Sequence, residues 1–135
     1  MKKIVFSFRK RPVNFFLMLI VIVLYLLNNI VIKNNTSSFV HLFFVSYFND
    51  LICPLWFLSY VNMLMIINDK EITNLLLLLC LSLSAGIVWE FFAPLIKSGA
   101  VTDIYDLVFY IFGTLIYWLI IKMVIRNGSG NVKNS

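Results

Sequence analysis

The sequence predicts an all-α integral membrane protein of four transmembrane helices, with a short interfacial or re-entrant segment before the second. Three observations carry this expectation. Of the 135 residues, 61% are hydrophobic and only 13% are charged, where a soluble domain runs at about half and about a quarter. The apolar residues fall into runs of about 20, the length that spans a hydrocarbon core of ~30 Å. The Lys and Arg residues concentrate at the two ends of the chain, a distribution that orients helices in a bilayer.

The first run, 13–32, follows Pro12, a residue suited to a helix's first turn. Its polar residues Asn14, Asn28 and Asn29 sit near its ends. It exceeds the roughly 7–15 apolar residues of a signal peptide, and no small-residue cleavage site follows, so it reads as a retained anchor. After a polar loop at 33–38, the segment 39–48 is apolar but interrupted by His41 and Ser46, and it ends at Asn49 and Asp50. The apolar run then resumes over 51–67 with Pro54 near its start. As one straight helix, 39–67 reaches roughly 43 Å, more than the core requires. The expectation is therefore a non-crossing piece, 39–48, ahead of a second spanning helix.

A polar turn at 68–71 leads to the third span, 72–92, where a leucine run gives way to Ser82, Ser84, Ala85 and Gly86. Small residues of this kind let helices approach closely in lipid. Thr102 and Asp103 read as a helix start, and the fourth span, 104–125, closes at Arg126. The expected organisation is a basic segment at 1–12, one helical domain over 13–126, and a disordered tail at 127–135.

Charge sets the orientation. Lys2, Lys3, Arg9, Lys10 and Arg11 precede the first span, and Lys122, Arg126 and Lys133 close the chain. Four crossings place both groups on one side, the cytoplasmic side by the positive-inside rule. Lys33 and Lys97 remain outside. The expected location is the cytoplasmic (inner) membrane, with membrane lipids as partners. The net charge of +5 is explained by topology and headgroup contact rather than by nucleic acid, since no soluble basic module is visible. Cys53 and Cys80 have neither metal spacing nor a disulfide framework.

The same topology gathers four of the six acidic residues, Asp50, Glu90, Asp103 and Asp106, at the outer ends of their helices. Asp103 and Asp106 share a helix face that Tyr110 and Gly113 extend. Asp103 also reads as a plain N-cap. Glu90 lies between Trp89 and Phe91 at a helix C-terminus, where a negative charge is disfavoured. Membrane-edge carboxylates are expensive and mark functional sites. The candidate ligand-binding residues are Asn49, Asp50, Glu90, Asp103, Asp106 and Tyr110, with Asn62 as a further neutral hydrogen-bonding group and His41 as a possible neighbour. Asp50, Glu90 and Asp106 form the candidate metal set, and hard oxygen ligands suit Mg²⁺ or Ca²⁺. Trp56, Trp89 and Trp118 read as interfacial anchors. No catalytic triad, phosphate loop or metalloprotease motif is present, so the residues leave open whether anything is catalysed.

The stretch Glu90…Pro94…Thr102-Asp103-Ile104-Tyr105-Asp106, continuing through Tyr110 to Gly113, resembles the C-terminal half of VanZ-like membrane proteins. The run Tyr47-Phe48-Asn49-Asp50-Leu51-Ile52-Cys53-Pro54 is similar to short bacterial members, some of them labelled magnesium–citrate secondary transporters. Tyr110 stands where Asn is frequent in that family. The resemblance covers roughly residues 40–120. It implies a four- or five-helix membrane domain of the bacterial envelope, with an outer polar site directed at lipids or glycans.

The leading expectation is thus an envelope membrane protein whose outward acidic site binds a cation, a lipid headgroup or a glycopeptide-like ligand. A small transporter or channel subunit, and a pore-forming effector, are the alternatives. Each of these needs a homo-oligomer, because four helices without an internal repeat give no path of their own.

Overall fold

Uninterrupted apolar runs favour the structure that satisfies backbone groups internally, and every regular element among the described residues is a helix. These residues, 12–32, 39–96 and 104–130 of a computed structural model, form α1 (Pro12–Leu27, continued by a π-helical turn Asn28–Ile32), α2 (Phe39–Ser46), α3 (Phe48–Ile66), α4 (Leu75–Ile96) and α5 (Ile104–Gly130).

Three segments, Pro12–Ile32, Phe43–Ile66 and Tyr105–Arg126, are long and apolar enough to cross a membrane, and Leu75–Glu90 is a shorter apolar helix. α1 turns only Asn14, Leu17, Val21 and Asn28 inward. Phe16, Ile20, Val23, Leu24 and Leu27 are exposed. A helix that is apolar on every side is suited to lipid contact rather than to water.

The sequence places a break at Asn49–Asp50, and the structure places it at Tyr47. There the Tyr47 amide donates to the Phe43 carbonyl at 2.9 Å, and the Leu51 amide donates to the Tyr47 carbonyl at 3.0 Å. α2 therefore runs into α3 with its ladder carried across the bend. Rings hold the bend in place: Tyr47 stacks on Phe109 of α5 at 4.8 Å, and Phe43 meets the same ring edge-on at 5.8 Å. Asn49 and Asp50 thus lie within a helix, one turn before Pro54.

α3 packs on α1, α4 and α5, and α4 packs on α5. Gly113 of α5 lies against the Leu51 carbonyl and the Pro54 ring, and Gly86 of α4 lies against the Tyr110 ring. Leu17, Leu58, Leu78, Tyr117 and Ile121 form the buried core.

Two local devices fix the turn between α3 and α4. Asp69 adopts a left-handed φ of 58°. Beside it the Asp69 amide donates to the Ile66 carbonyl and the Lys70 amide to the Met65 carbonyl, at 3.0 and 3.2 Å. This pair is a Schellman closure with Asp in the place that Gly or Asn usually takes. Asn74 then caps α4, its Oδ1 accepting the Leu76 amide at 2.9 Å.

Candidate functional site

An open cleft of about 710 Å³ lies where α1, α3, α4 and α5 meet at one end of the bundle. α1 supplies an apolar wall of Val21 and Ile22 with Tyr25 beside it, and α2 ends there at Ser46. α3 contributes Asn49, Asp50, Ile52, Cys53 and Trp56, α4 Trp89, and α5 Tyr110. The size falls in the ~300–1,000 Å³ of small-molecule sites, and a mostly apolar lining with a few convergent polar groups is their usual make-up.

The polar end is built on a short chain of hydrogen bonds. The Asn28 side chain donates to the Phe44 carbonyl at 2.9 Å and to Asn49 Oδ1 at 3.1 Å. A carbonyl can only accept, so the donor atom of Asn28 is its Nδ2, and Asn49 must offer its oxygen there. Asn49 Nδ2 is left as the donor on the other side of that amide. The Tyr110 hydroxyl donates to Cys53 Sγ at 3.6 Å, and the carboxylates of Asp50 and Glu90 both lie near enough to act on that hydroxyl electrostatically.

Of the residues expected from sequence, Asn49, Asp50 and Tyr110 come together in the lining, and half-buried Glu90 is not part of it. Asp106 is half-buried in the first turn of α5 and is not part of the lining; nor is half-buried His41 on α2. Asp103 lies outside the described residues. Among the described residues, Asp50, Glu90 and Asp106 included, no group of three or more His, Cys, Asp or Glu could hold a metal ion. Asn62 belongs to the opposite end of α3, nearly four helical turns or about 20 Å from Asn49. There it is fully buried, donating to the Tyr117 hydroxyl at 2.7 Å.

Sequence reasoning took Trp56 and Trp89 only as anchors and gave Cys53 no role, yet all three line the cleft. Asn49, Cys53 and Trp56 recur at helical spacing, so one face of α3 was readable as a unit. The third tryptophan, Trp118, lies away from the cleft: its indole donates to the Thr73 carbonyl at 3.1 Å, and Lys122 Nζ lies 4.4 Å from its ring centroid.

No family model, curated protein or solved structure matches the chain.

Proposed function

We propose that the chain is a multi-pass protein of the bacterial cytoplasmic membrane, with both ends in the cytoplasm, and that its cleft binds a membrane amphiphile by an amine-bearing head. The observation that carries the reading is the cleft itself. It has acid and amide groups at one end, Val21, Ile22, Ile52 and two tryptophans as walls, and it opens beside a helix whose remaining faces are apolar and exposed. A contiguous apolar surface of that extent needs lipid or a partner to cover it. A single lining carboxylate, Asp50, suits an ammonium donor better than a hard divalent cation, which takes about six or more oxygens. The resemblance to VanZ-like proteins fits an envelope lipid as the ligand.

Thermal unfolding of the purified protein in mild detergent tests the ligand. A phospholipid with a primary amine head should raise the Tm more than choline or glycerol headgroups with the same acyl chains. Asp50→Asn keeps the shape and removes the charge. A charge-assisted hydrogen bond contributes about 1.5–3 kcal/mol, so the amine preference should fall roughly tenfold or more in apparent affinity. Ile22→Trp, which fills the cleft, should abolish stabilisation by every headgroup. If Ile22→Trp responds to lipids as the parent does, the cleft is not the binding site.

The orientation has its own test. A reporter fused after residue 135 should be active in the cytoplasm, and one inserted within 33–38 should be active outside. A C-terminal fusion active on the outer side would exclude four crossings.

A further inference from the structure

The hydrogen bonds around the cleft decide which of its polar groups can give a proton and which can only receive one. Asn28 is fully buried, and its Nδ2 donates both to the Phe44 carbonyl at 2.9 Å and to Asn49 Oδ1 at 3.1 Å. The Phe44 carbonyl has no donor form, so the backbone sets the sense of the Asn28 amide, and Asn28 in turn sets Asn49. Turning the Asn49 amide over would break the 3.1 Å bond and oppose two N–H groups. Asn49 lines the cleft, and its Nδ2 has no partner among the described residues. It is a donor held in place from behind.

Tyr110 is set in the opposite sense. Its hydroxyl gives its proton to Cys53 Sγ at 3.6 Å, so the oxygen is left as an acceptor. Asp50, next to Asn49 in the chain, adds a carboxylate that only accepts. No Lys, Arg or His stands among the described residues of the lining. A plain anion would therefore meet a carboxylate with no cation to offset the repulsion. A plain ammonium would be served by Asp50 and Tyr110 but would face the positive end of the Asn49 amide. The lining suits a head that carries both signs. Asn49 and Asp50 are consecutive on one helix, so the two charges belong a few bonds apart.

We infer that the cleft selects a zwitterionic aminoalkyl phosphate head, with the ammonium on Asp50 and the Tyr110 oxygen and a phosphate oxygen on Asn49 Nδ2. The inference rests on the amine-bearing amphiphile of the proposed function and names the second half of its head. A hydrogen bond to an ionised acceptor is roughly twice as strong as one between neutral groups. In a mostly apolar cleft, an unmet donor and an unmet phosphate oxygen are each costly. Asn49 is thus a specificity-determining residue, and Asn28 is the positioning residue behind it.

Two amphiphiles with the same pair of acyl chains isolate this contact: phosphatidylethanolamine, and a diacyl aminopropane that keeps the primary amine and lacks the phosphate. Titrated against the Tm of the parent protein in mild detergent, the phosphate-bearing lipid should bind roughly tenfold more tightly. Equal affinity, or a preference for the phosphate-free amine, overturns the inference and leaves the amine reading standing. Asn49→Asp exchanges the NH₂ for an oxygen at constant shape and keeps the acceptor that Asn28 uses. It should erase or reverse the phosphate preference while retaining the preference for an amine over a glycerol headgroup. An unchanged phosphate preference in Asn49→Asp overturns the inference as well. If the parent shows no amine preference over the glycerol headgroup, the amine reading itself falls, and the inference with it. Should Asn49→Asp not fold, the comparison of the two lipids on the parent decides alone.

Discussion

Gly113→Ala should be the more damaging methyl addition at the two packed glycines described, with a net loss of about 2 kcal/mol or more. A Cβ at Gly113 runs into the Leu51 carbonyl oxygen and lies 3.1 Å from Pro54 Cγ. Neither neighbour can turn aside, since one is helix backbone and the other a closed ring. Overpacking a tight site costs about 1–3 kcal/mol and occasionally more, and the helix propensity gained over Gly, about 1 kcal/mol, offsets only part of it. Gly86→Ala is the matched comparison. Its Cβ would lie 3.2 Å from ring atoms of Tyr110, a side chain that can shift by a few tenths of an ångström. Propensity gain and contact strain then nearly cancel, and the change should stay within about 1 kcal/mol. Unfolding of both variants in the same detergent checks the pair. Equal stabilities, or the reverse order, would mean that the α3–α5 approach is looser than described.

Asn62→Leu should also destabilise strongly, although it replaces an amide with an apolar side chain of similar size inside a core. Asn62 satisfies the Ile72 amide and carbonyl at 2.7 and 2.9 Å and donates to Tyr117 at 2.7 Å. Leucine leaves the half-buried Ile72 N–H without its acceptor, at up to about 1–3 kcal/mol for one orphaned group. Tyr117→Phe should lose less, because Asn62 keeps both bonds to Ile72; it strands Asn14 Oδ1 and one Nδ2 hydrogen of Asn62, but no backbone group. The double variant should lose less than the sum of the two, since both remove the same 2.7 Å bond. Additive losses would show that the network is not coupled.

The helical class was legible because length and composition fix it: runs as apolar as 13–32 and 104–125 have few other structures open to them. The cleft was half legible. Asn49 and Asp50 drew attention as polar residues in an apolar context, and Tyr110 as part of a helix face. Their meeting depends on how α3 approaches α5, which Gly113 and Pro54 set and no single segment encodes. Asn62 read only as a neutral hydrogen-bonding group because a lone amide in a span carries no label for its partner, and Tyr117 lies 55 positions away. The three-carboxylate set rested on topology, which brings residues to one face of a membrane but not to one point. The bend at Tyr47 was missed for a related reason. Pro54 and the Asn49–Asp50 pair are local signals, and the rings of α5 that hold Tyr47 come from distant sequence.

α1 meets the rest of the bundle through a buried amide near either end, Asn14 and Asn28, with Leu17 and Val21 between them. With α1 in lipid, as proposed, the aliphatic pair gains little from docking, because lipid tails are as apolar as the neighbours that replace them. The two amides are directional, and each has one set of partners at one height. A slide of α1 by a single turn, about 5.4 Å, would part Asn14 from Tyr117 and Asn28 from Asn49 together, with no new pair to compensate. The spacing between the two amides therefore works as a gauge, accepting α1 at one setting and rejecting its neighbours, and the docked position is chosen by fit at two points rather than by stickiness along the whole length.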